Sequence, residues 1–244
     1  MKVAILYSGL MRNLAETIHN NLEYFQYLTN DIDLYFSIWD NIGYADQINA
    51  PDNIKTNRIL GENIKITEDV IRGLVPRNIN IKKIKIEKYH LNNCQLDLIN
   101  GIDNLGLPGQ FYKVLDCFDL LDSSINYDVI VRLRCDILLN NKMSSEYLLQ
   151  SVADKKIIFA SKIWYNYTWE PGIRCINDMI WVSNTELMKK SCSIYKNVNK
   201  INNIISNRNQ TNINHGESIC FMNLEAEDIT NNIETFDFDY IILR

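Results

Sequence analysis

Residues 127–140 read YDVIVRLRCDILLN, and the reading of this stretch decides the fold. Asp128-Val129-Ile130-Val131 is a short apolar, β-branched run, the pattern of a strand buried on both faces of a parallel sheet. Such a strand emerges into water at its carboxyl end, which here carries Arg132, Arg134 and Asp136. Alternate positions on an extended chain point the same way. Two guanidiniums and a carboxylate then line one face at the edge where open α/β sheets bind ligands. The pattern predicts a site for a phosphorylated ligand, with a carboxylate available to a metal ion. The plainer alternative is a surface ion-pair cluster at a strand end.

A parallel strand needs partners on either side, and the chain before residue 127 supplies them. Val3 to Tyr7 predicts a first strand, followed by Ser8-Gly9-Leu10-Met11-Arg12. A strand that opens through Ser-Gly into a helix brings backbone N–H groups towards a phosphate. The helix starts near Asn13, and Leu14, Ile18, Leu22 and Phe25 give it an apolar stripe. The bland alternative leaves Gly9 as a turn residue and Arg12 as a solvated one. Neither GxGxxG nor GxxxxGK[ST] occurs, so a dinucleotide fingerprint and a P-loop are both excluded. A second strand spans Asp31 to Asp40 and puts Trp39 and Asp40 at the ligand edge. There a Trp can stack on a base and a carboxylate can accept from a ribose, or the Trp simply closes the core. Asp31-x-Asp33 has the letters of a metal motif but lies at the wrong end of that strand.

Residues 41–66 are irregular, and Thr67 opens a helix. Ile81 to Glu87 alternates Ile with Lys and Glu, as an edge strand does. Leu105 to Gly109 reads as a loop and Gln110 to Leu121 as a helix, with Tyr112 and Lys113 near its first turn. Beyond residue 140, Ser144 and Ser145 precede a helix, and Lys156 to Ser161 is a strand. Residues 162–169 are dense in aromatics of the kind on which sugar rings stack, with core packing as the alternative. Met179 to Val182 is a strand with Asp178 at its start, and an acid entering a buried strand needs a partner. Gly216 to Leu224 reads as an amphipathic helix with Glu217 in its first turn, where the helix dipole favours an acid. His215 and Glu217 can form an acid–base pair. Phe236 to Leu243 reads as a final strand.

The composition sets outer limits. At 244 residues, with 46% hydrophobic side chains, the chain can bury a full core without staples. A net charge of −5 and no basic run argue against a nucleic-acid partner. No stretch is long and apolar enough for a membrane span, and the run after Met1-Lys2 is too short for a signal-peptide core. The six cysteines contain no CxxC pair and read as reduced thiols of a cytoplasmic protein.

Taken in order, ILYSGLMR, DLYFSIWD, YDVIVRLRCDI and INDMIWVSN, with HGES as a weaker fifth, resemble a family. It is the small GT-A-type glycosyltransferases of bacterial surface-polysaccharide clusters and large DNA viruses. The resemblance spans nearly the whole chain. It implies an α/β fold with a GT-A-like (Rossmann-like), mostly parallel sheet flanked by helices. It implies one domain over residues 1–244, with a nucleotide-binding half over about 1–140 and an acceptor half over about 141–244. Ser8, Gly9 and Arg12, with Trp39 or Asp40, would lie by the nucleotide. Asp136 would stand for the last Asp of a DxD signature, which binds Mn²⁺ or Mg²⁺ and so neutralises a leaving diphosphate. The chain departs from DxD because Arg134 replaces the earlier acid, so Arg132 and Arg134 can supply positive charge themselves. The implied partners are a UDP- or GDP-type sugar donor and a glycan acceptor, with Asp178 and Glu217 as candidate bases. A binding module without catalysis is the rival from another class. A sugar-nucleotide nucleotidyltransferase is disfavoured, because SGLMRN is too short and holds one Gly.

Overall fold

The computed structural model describes residues 1–40, 65–88, 106–140, 143–160, 174–208 and 216–243. Nine strands and seven α-helices are formed by these residues. The strands are β1 (Lys2–Gly9), β2 (Asp31–Trp39), β3 (Asn80–Glu87), β4 (Val129–Leu133), β5 (Ile137–Leu139), β6 (Ile157–Ala160), β7 (Ile180–Ser183), β8 (Ile233–Phe236) and β9 (Tyr240–Ile242). The helices are α1 (Leu14–Gln26), α2 (Glu68–Leu74), α3 (Gly106–Asp119), α4 (Ser145–Ala153), α5 (Thr185–Cys192), α6 (Val198–Asn207) and α7 (Gly216–Ala226).

Seven strands form one sheet in the order β3-β2-β1-β4-β7-β6-β8. The pairs β1–β2, β1–β4, β2–β3 and β6–β8 are parallel, while β7 runs antiparallel to both β4 and β6. The sheet is therefore mostly parallel, with β7 alone reversed. β1 and β4 are buried on both faces, as their unbroken apolar runs require. Alternate side chains feed two separate cores. Val3, Ile5, Tyr7, Val129 and Val131 join Leu14, Ile18 and Leu22 of α1, Ile71 of α2 and Leu148 of α4 on one face. Ala4, Leu6, Ile130 and Trp181 join Phe111 and Val114 of α3, Met188 of α5, Ile201 of α6 and Phe221 of α7 on the other. Three helices start where a side chain caps them. Thr67, Ser144 and Asn184 accept from Val70, Tyr147 and Leu187 backbone N–H groups respectively.

Four expectations need correction. The strand through residues 127–140 is extended only to Leu133; the chain then turns, and β5 pairs with β9 in a separate two-stranded sheet. Arg132 and Arg134 thus do not share one face of a single strand with Asp136. The helix expected from Gln110 starts at Gly106, because a proline is tolerated in a first turn where its missing N–H has no helical acceptor. α7 is not amphipathic: Ser218 to Leu224 are all buried, so it is a core helix, and its polar Asn223 bonds the Lys190 and Ser191 carbonyls. The single C-terminal strand is two, β8 on the sheet edge and β9 on β5. The helix α6, with Val198, Ile201 and Ile205 facing the core, has no counterpart in the sequence reading. Among the described residues, no helix is long and apolar enough to cross a membrane.

Candidate active site

The reversal of β7 builds the site. In a parallel strand a starting residue lies at the edge opposite the ligand. β7 is antiparallel, with Leu133 opposite Ile180, and Arg134 N–H donates to the Met179 carbonyl at 3.1 Å. The start of β7 therefore meets the end of β4, and Asp178 arrives beside Arg134. Arg134 Nη1 lies 3.5 Å from Asp178 Oδ1. Gln110, in the first turns of α3, donates to Asp178 Oδ2 at 2.5 Å. Asp178 Oδ1 is buried and accepts no hydrogen bond among the described residues.

Asp136 is the other centre of this chain of contacts. It is 1% exposed. Arg134 grips it with two N–H groups, Nε to Oδ1 at 3.0 Å and Nη2 to Oδ2 at 2.7 Å. Arg12 Nη1 donates to Oδ2 as well. Burial pushes the Asp136 carboxyl up, but the charges and hydrogen bonds of Arg134 and then Arg12 outweigh it and hold the group below the usual carboxylate range. Burial works to lower Arg134, and Asp178, Asp136 and Glu217 together raise it above its ordinary value. Both groups stay ionised.

Two buried polar side chains of α1 fix the backbone around Asp136. Thr17 Oγ1 donates to the Cys135 carbonyl at 2.8 Å. Asn21 donates to the Ile137 carbonyl at 2.7 Å and accepts from Leu139 N–H at 3.1 Å. Leu243 N–H donates to the Asp136 carbonyl at 2.9 Å. The turn from β1 to α1 takes Arg12 to the carboxylate through two left-handed residues, Gly9 at φ 106° and Arg12 at φ 40°. Gly9 suits that conformation and Arg12 does not, so the turn holds Arg12 in a costly shape. Ser8, which precedes Gly9, is buried with no partner for its hydroxyl among the described residues.

The structure thus brings Arg12, Arg134, Asp136 and Asp178 into direct contact at the end of the Ser8-Gly9 turn. Glu217, at the start of α7, is near enough for its charge to act on Arg134, and its carbonyl accepts from Ile176 N–H at 3.2 Å. Three predicted residues lie apart from this chain. Arg132 is 1% exposed and points into the helix-covered core, its guanidinium carbon 4.8 Å from the Trp181 ring centre. None of its three nitrogens has a hydrogen-bond acceptor among the described residues. Burial pushes its pKa below the ordinary value, and the charge of Asp178 is the largest opposing influence. Trp39 does end β2, but Tyr112 stacks on it at 6.0 Å and Lys113 Nζ sits 4.4 Å from its ring centre. It closes the core at that end instead of offering a bare ring. Asp40 follows it, its backbone N–H donating to Glu87 at 2.9 Å. Lys113 is itself buried and pairs with Glu87 at 2.5 Å.

Sequence reasoning missed Gln110, Thr17 and Asn21. A polar residue opening a helix beside a predicted site is a signal for Gln110. Thr17 and Asn21 carry one too, being four apart on a helix whose neighbouring stripe is apolar. His215, the aromatic residues 162–169 and the irregular residues 41–64 lie outside the described residues.

Asp136 was expected to bind a divalent cation, and the described residues do not fit one. Both of its oxygens are engaged by guanidiniums, and its partner position in DxD is the cation Arg134. Among the described residues no group of three His, Cys, Asp or Glu side chains could hold a metal ion.

No protein-family model matches the chain, and neither does any curated protein. Solved structures do. The galactosyltransferase LgtC, in complex with donor and acceptor sugar analogs, matches with a TM-score of 0.53 and 8% identity over 96% of this chain and 73% of that one. An active-site mutant of LgtC matches with a TM-score of 0.51 and 8% identity over 96% and 72%. Mouse xyloside xylosyltransferase 1, apo form, gives a TM-score of 0.46 and 10% identity over 96% and 84%. At such identities the likeness is one of fold. The chain has the fold of the GT-A glycosyltransferases.

Proposed function

We propose that the chain is an enzyme that transfers a sugar from a nucleotide-diphosphate sugar, of the UDP or GDP type, to a hydroxyl of a glycan or similar acceptor. One observation carries the reading. Arg12, Asp136, Arg134 and Asp178 form a continuous charged chain where β4 ends and the reversed β7 begins. That is the edge at which α/β sheets bind ligands. In this reading the donor lies over the half formed by residues 1–140, with the Ser8-Gly9 turn and Arg12 at its phosphates. The acceptor enters from the half formed by residues 141–244.

The reaction is a displacement at the anomeric carbon. The bond from that carbon to the diphosphate oxygen breaks, and its electron pair stays on the diphosphate. The acceptor oxygen bonds to the same carbon. Its proton passes to a carboxylate if configuration inverts. Asp178 suits that duty better than Glu217, because Oδ1 is buried without a hydrogen bond and so has a lone pair to receive the proton.

A thermal-shift panel of UDP-, GDP-, CMP- and dTDP-sugars tests the reading. One UDP or GDP class should stabilise the protein, by about 2.7 kcal/mol at a concentration of roughly a hundred times Kd. Stabilisation by none of them overturns the proposal. Asp178→Asn should then keep donor binding and lose transfer by roughly 10²- to 10⁴-fold, measured as sugar released to acceptor. Full transfer by that variant removes Asp178 as the base.

A further inference from the structure

The divalent cation of a DxD site does two things: it binds the diphosphate and it absorbs the charge that grows on it. Here the atoms that would hold the cation are occupied by cations of the protein's own. Asp136 Oδ2 accepts from both Arg12 and Arg134, and Oδ1 accepts from Arg134 Nε at 3.0 Å. A metal ion would have to displace a guanidinium or settle against one. The backbone on both sides of Asp136 is held by Thr17, Asn21 and Leu243, so the carboxylate has little freedom to turn away.

The two arginine side chains, unlike the carboxylate, are partly exposed. The Arg12 side chain is 23% exposed and that of Arg134 is 18% exposed, against 1% for Asp136. Each uses only part of its donors on Asp136. Arg12 commits Nη1, which leaves Nε and Nη2. Arg134 Nη1 faces Asp178 at 3.5 Å, too long for a good hydrogen bond, so that donor can take a better acceptor brought to it. Guanidiniums present donors in a planar fork that matches phosphate oxygens, and they remain charged at any working pH. The left-handed backbone of Arg12 is a further sign that its side chain is aimed, since a non-glycine residue adopts φ 40° only when its surroundings hold it there.

We propose that this site binds a nucleoside diphosphate without a divalent cation. Arg12 and Arg134 are the phosphate-binding pair, and Asp136 is a positioning residue that sets their spacing. This rests on the transferase reading above. As the anomeric carbon–oxygen bond breaks, the electron pair left on the diphosphate oxygen meets N–H donors already in place. No other charge carrier is needed at that step.

UDP and GDP, titrated calorimetrically into the full chain, test it in two buffers, one with EDTA and one with excess Mn²⁺. One nucleotide should bind with Kd values within about twofold of each other in the two buffers. Arg12→Lys and Arg134→Lys should each weaken binding about tenfold in both, since a point charge replaces a fork. Asp136→Asn should weaken it by a similar factor with and without Mn²⁺, because a mispositioned pair is equally mispositioned in either buffer. Arg12→Lys is the least disruptive variant and carries the test if Asp136→Asn does not fold. Binding that appears only with Mn²⁺ overturns the inference and leaves the transferase reading standing. Loss of only the Mn²⁺-dependent part in Asp136→Asn makes Asp136 a metal ligand and also overturns it. No binding of either nucleotide in either buffer overturns both.

Discussion

Asp33 and Asp136 are both buried carboxylates of this sheet, 2% and 1% exposed, and they sit at opposite edges of it. Asp33 accepts from the Tyr127 hydroxyl at 2.7 Å and the Asn80 amide at 2.6 Å, with Lys2 Nζ at 3.4 Å. Tyr127 is tied in turn to Tyr35 at 2.8 Å. The two shortest bonds come from neutral donors, the ammonium groups of Lys2 and Lys82 stand further off at 3.4 and 3.8 Å, and the carboxylate is the hub of this network at the edge where β1 and β2 begin. Asp136 is gripped by two guanidiniums whose side chains are partly exposed while it is buried. The first arrangement satisfies a charge. The second uses a charge to hold two others in position. The letters D-x-D occur at the first site and not the second. Under the proposed function, what separates the two carboxylates is the sheet edge and the guanidinium grip on Asp136, not the motif.

The comparison breaks most visibly if Asp136 is removed. Asp136→Ala leaves two guanidiniums facing each other, and the loss of one partner of a buried ion pair costs about 3–5 kcal/mol. The partial exposure of both arginines puts the expected loss near the lower figure. Urea denaturation at neutral pH measures it. A loss under about 1 kcal/mol would mean that solvent, and not Asp136, compensates the arginines. The same pair has a pH signature. The folded-state pKa of Asp136 is held below its unfolded value. Its contribution to stability is therefore complete above the unfolded value of about 3.9 and is lost as pH falls through the folded value. The wild-type chain should lose stability more steeply than Asp136→Asn as pH drops through about 4 and below. Parallel curves would show that Asp136 has no depressed pKa.

Asp33→Ala gives the smaller effect implied by two neutral donors with the lysines further off. Tyr127 and Asn80 lose their acceptor, at about 2 kcal/mol by thermal or urea unfolding. Nucleotide affinity should not change, because the residue is at the far edge. A change in affinity matching that of Asp136→Asn would erase the functional distinction between the two edges.

The sequence carried much of this. The apolar runs of β1 and β4 are local patterns and formed buried strands as read, although β1 takes in Ser8-Gly9 and β4 takes in Arg132 and Leu133. What failed was non-local. Whether Arg132 is inside or outside depends on how far β4 extends, and its pairing with β7 up to Leu133 draws Arg132 into the core against Trp181. The position of Asp178 depends on the direction of β7, which its four residues do not encode. α7 looked amphipathic because Glu217, Ser218 and Asn223 are polar, yet Asn223 is buried against backbone carbonyls. Trp39 was at its predicted strand end, but nothing in its own segment showed that Tyr112 and Lys113 would cover it.

The smallest predicted effect asks how rigid the frame of Asp136 must be. Asp33 lies inside strand β2, paired with Ala4 of β1 and Asn80 of β3, where the ladder fixes it. Asp136 lies in a turn, and the turn is fixed by side chains of α1. Thr17→Val keeps the shape of the side chain and deletes the hydrogen bond to the Cys135 carbonyl. The net cost to stability should be about 1 kcal/mol, read from the urea midpoint. If position is what Asp136 contributes, nucleotide affinity should fall as well, although Thr17 is fully buried behind the turn and has no route to a ligand. The corresponding loss next to Asp33, Tyr35→Phe, removes the hydroxyl bonded to Tyr127 and should leave affinity untouched. A Thr17→Val protein that is less stable but binds nucleotide as before would mean that the two guanidiniums find their spacing from the ligand and not from the carboxylate between them.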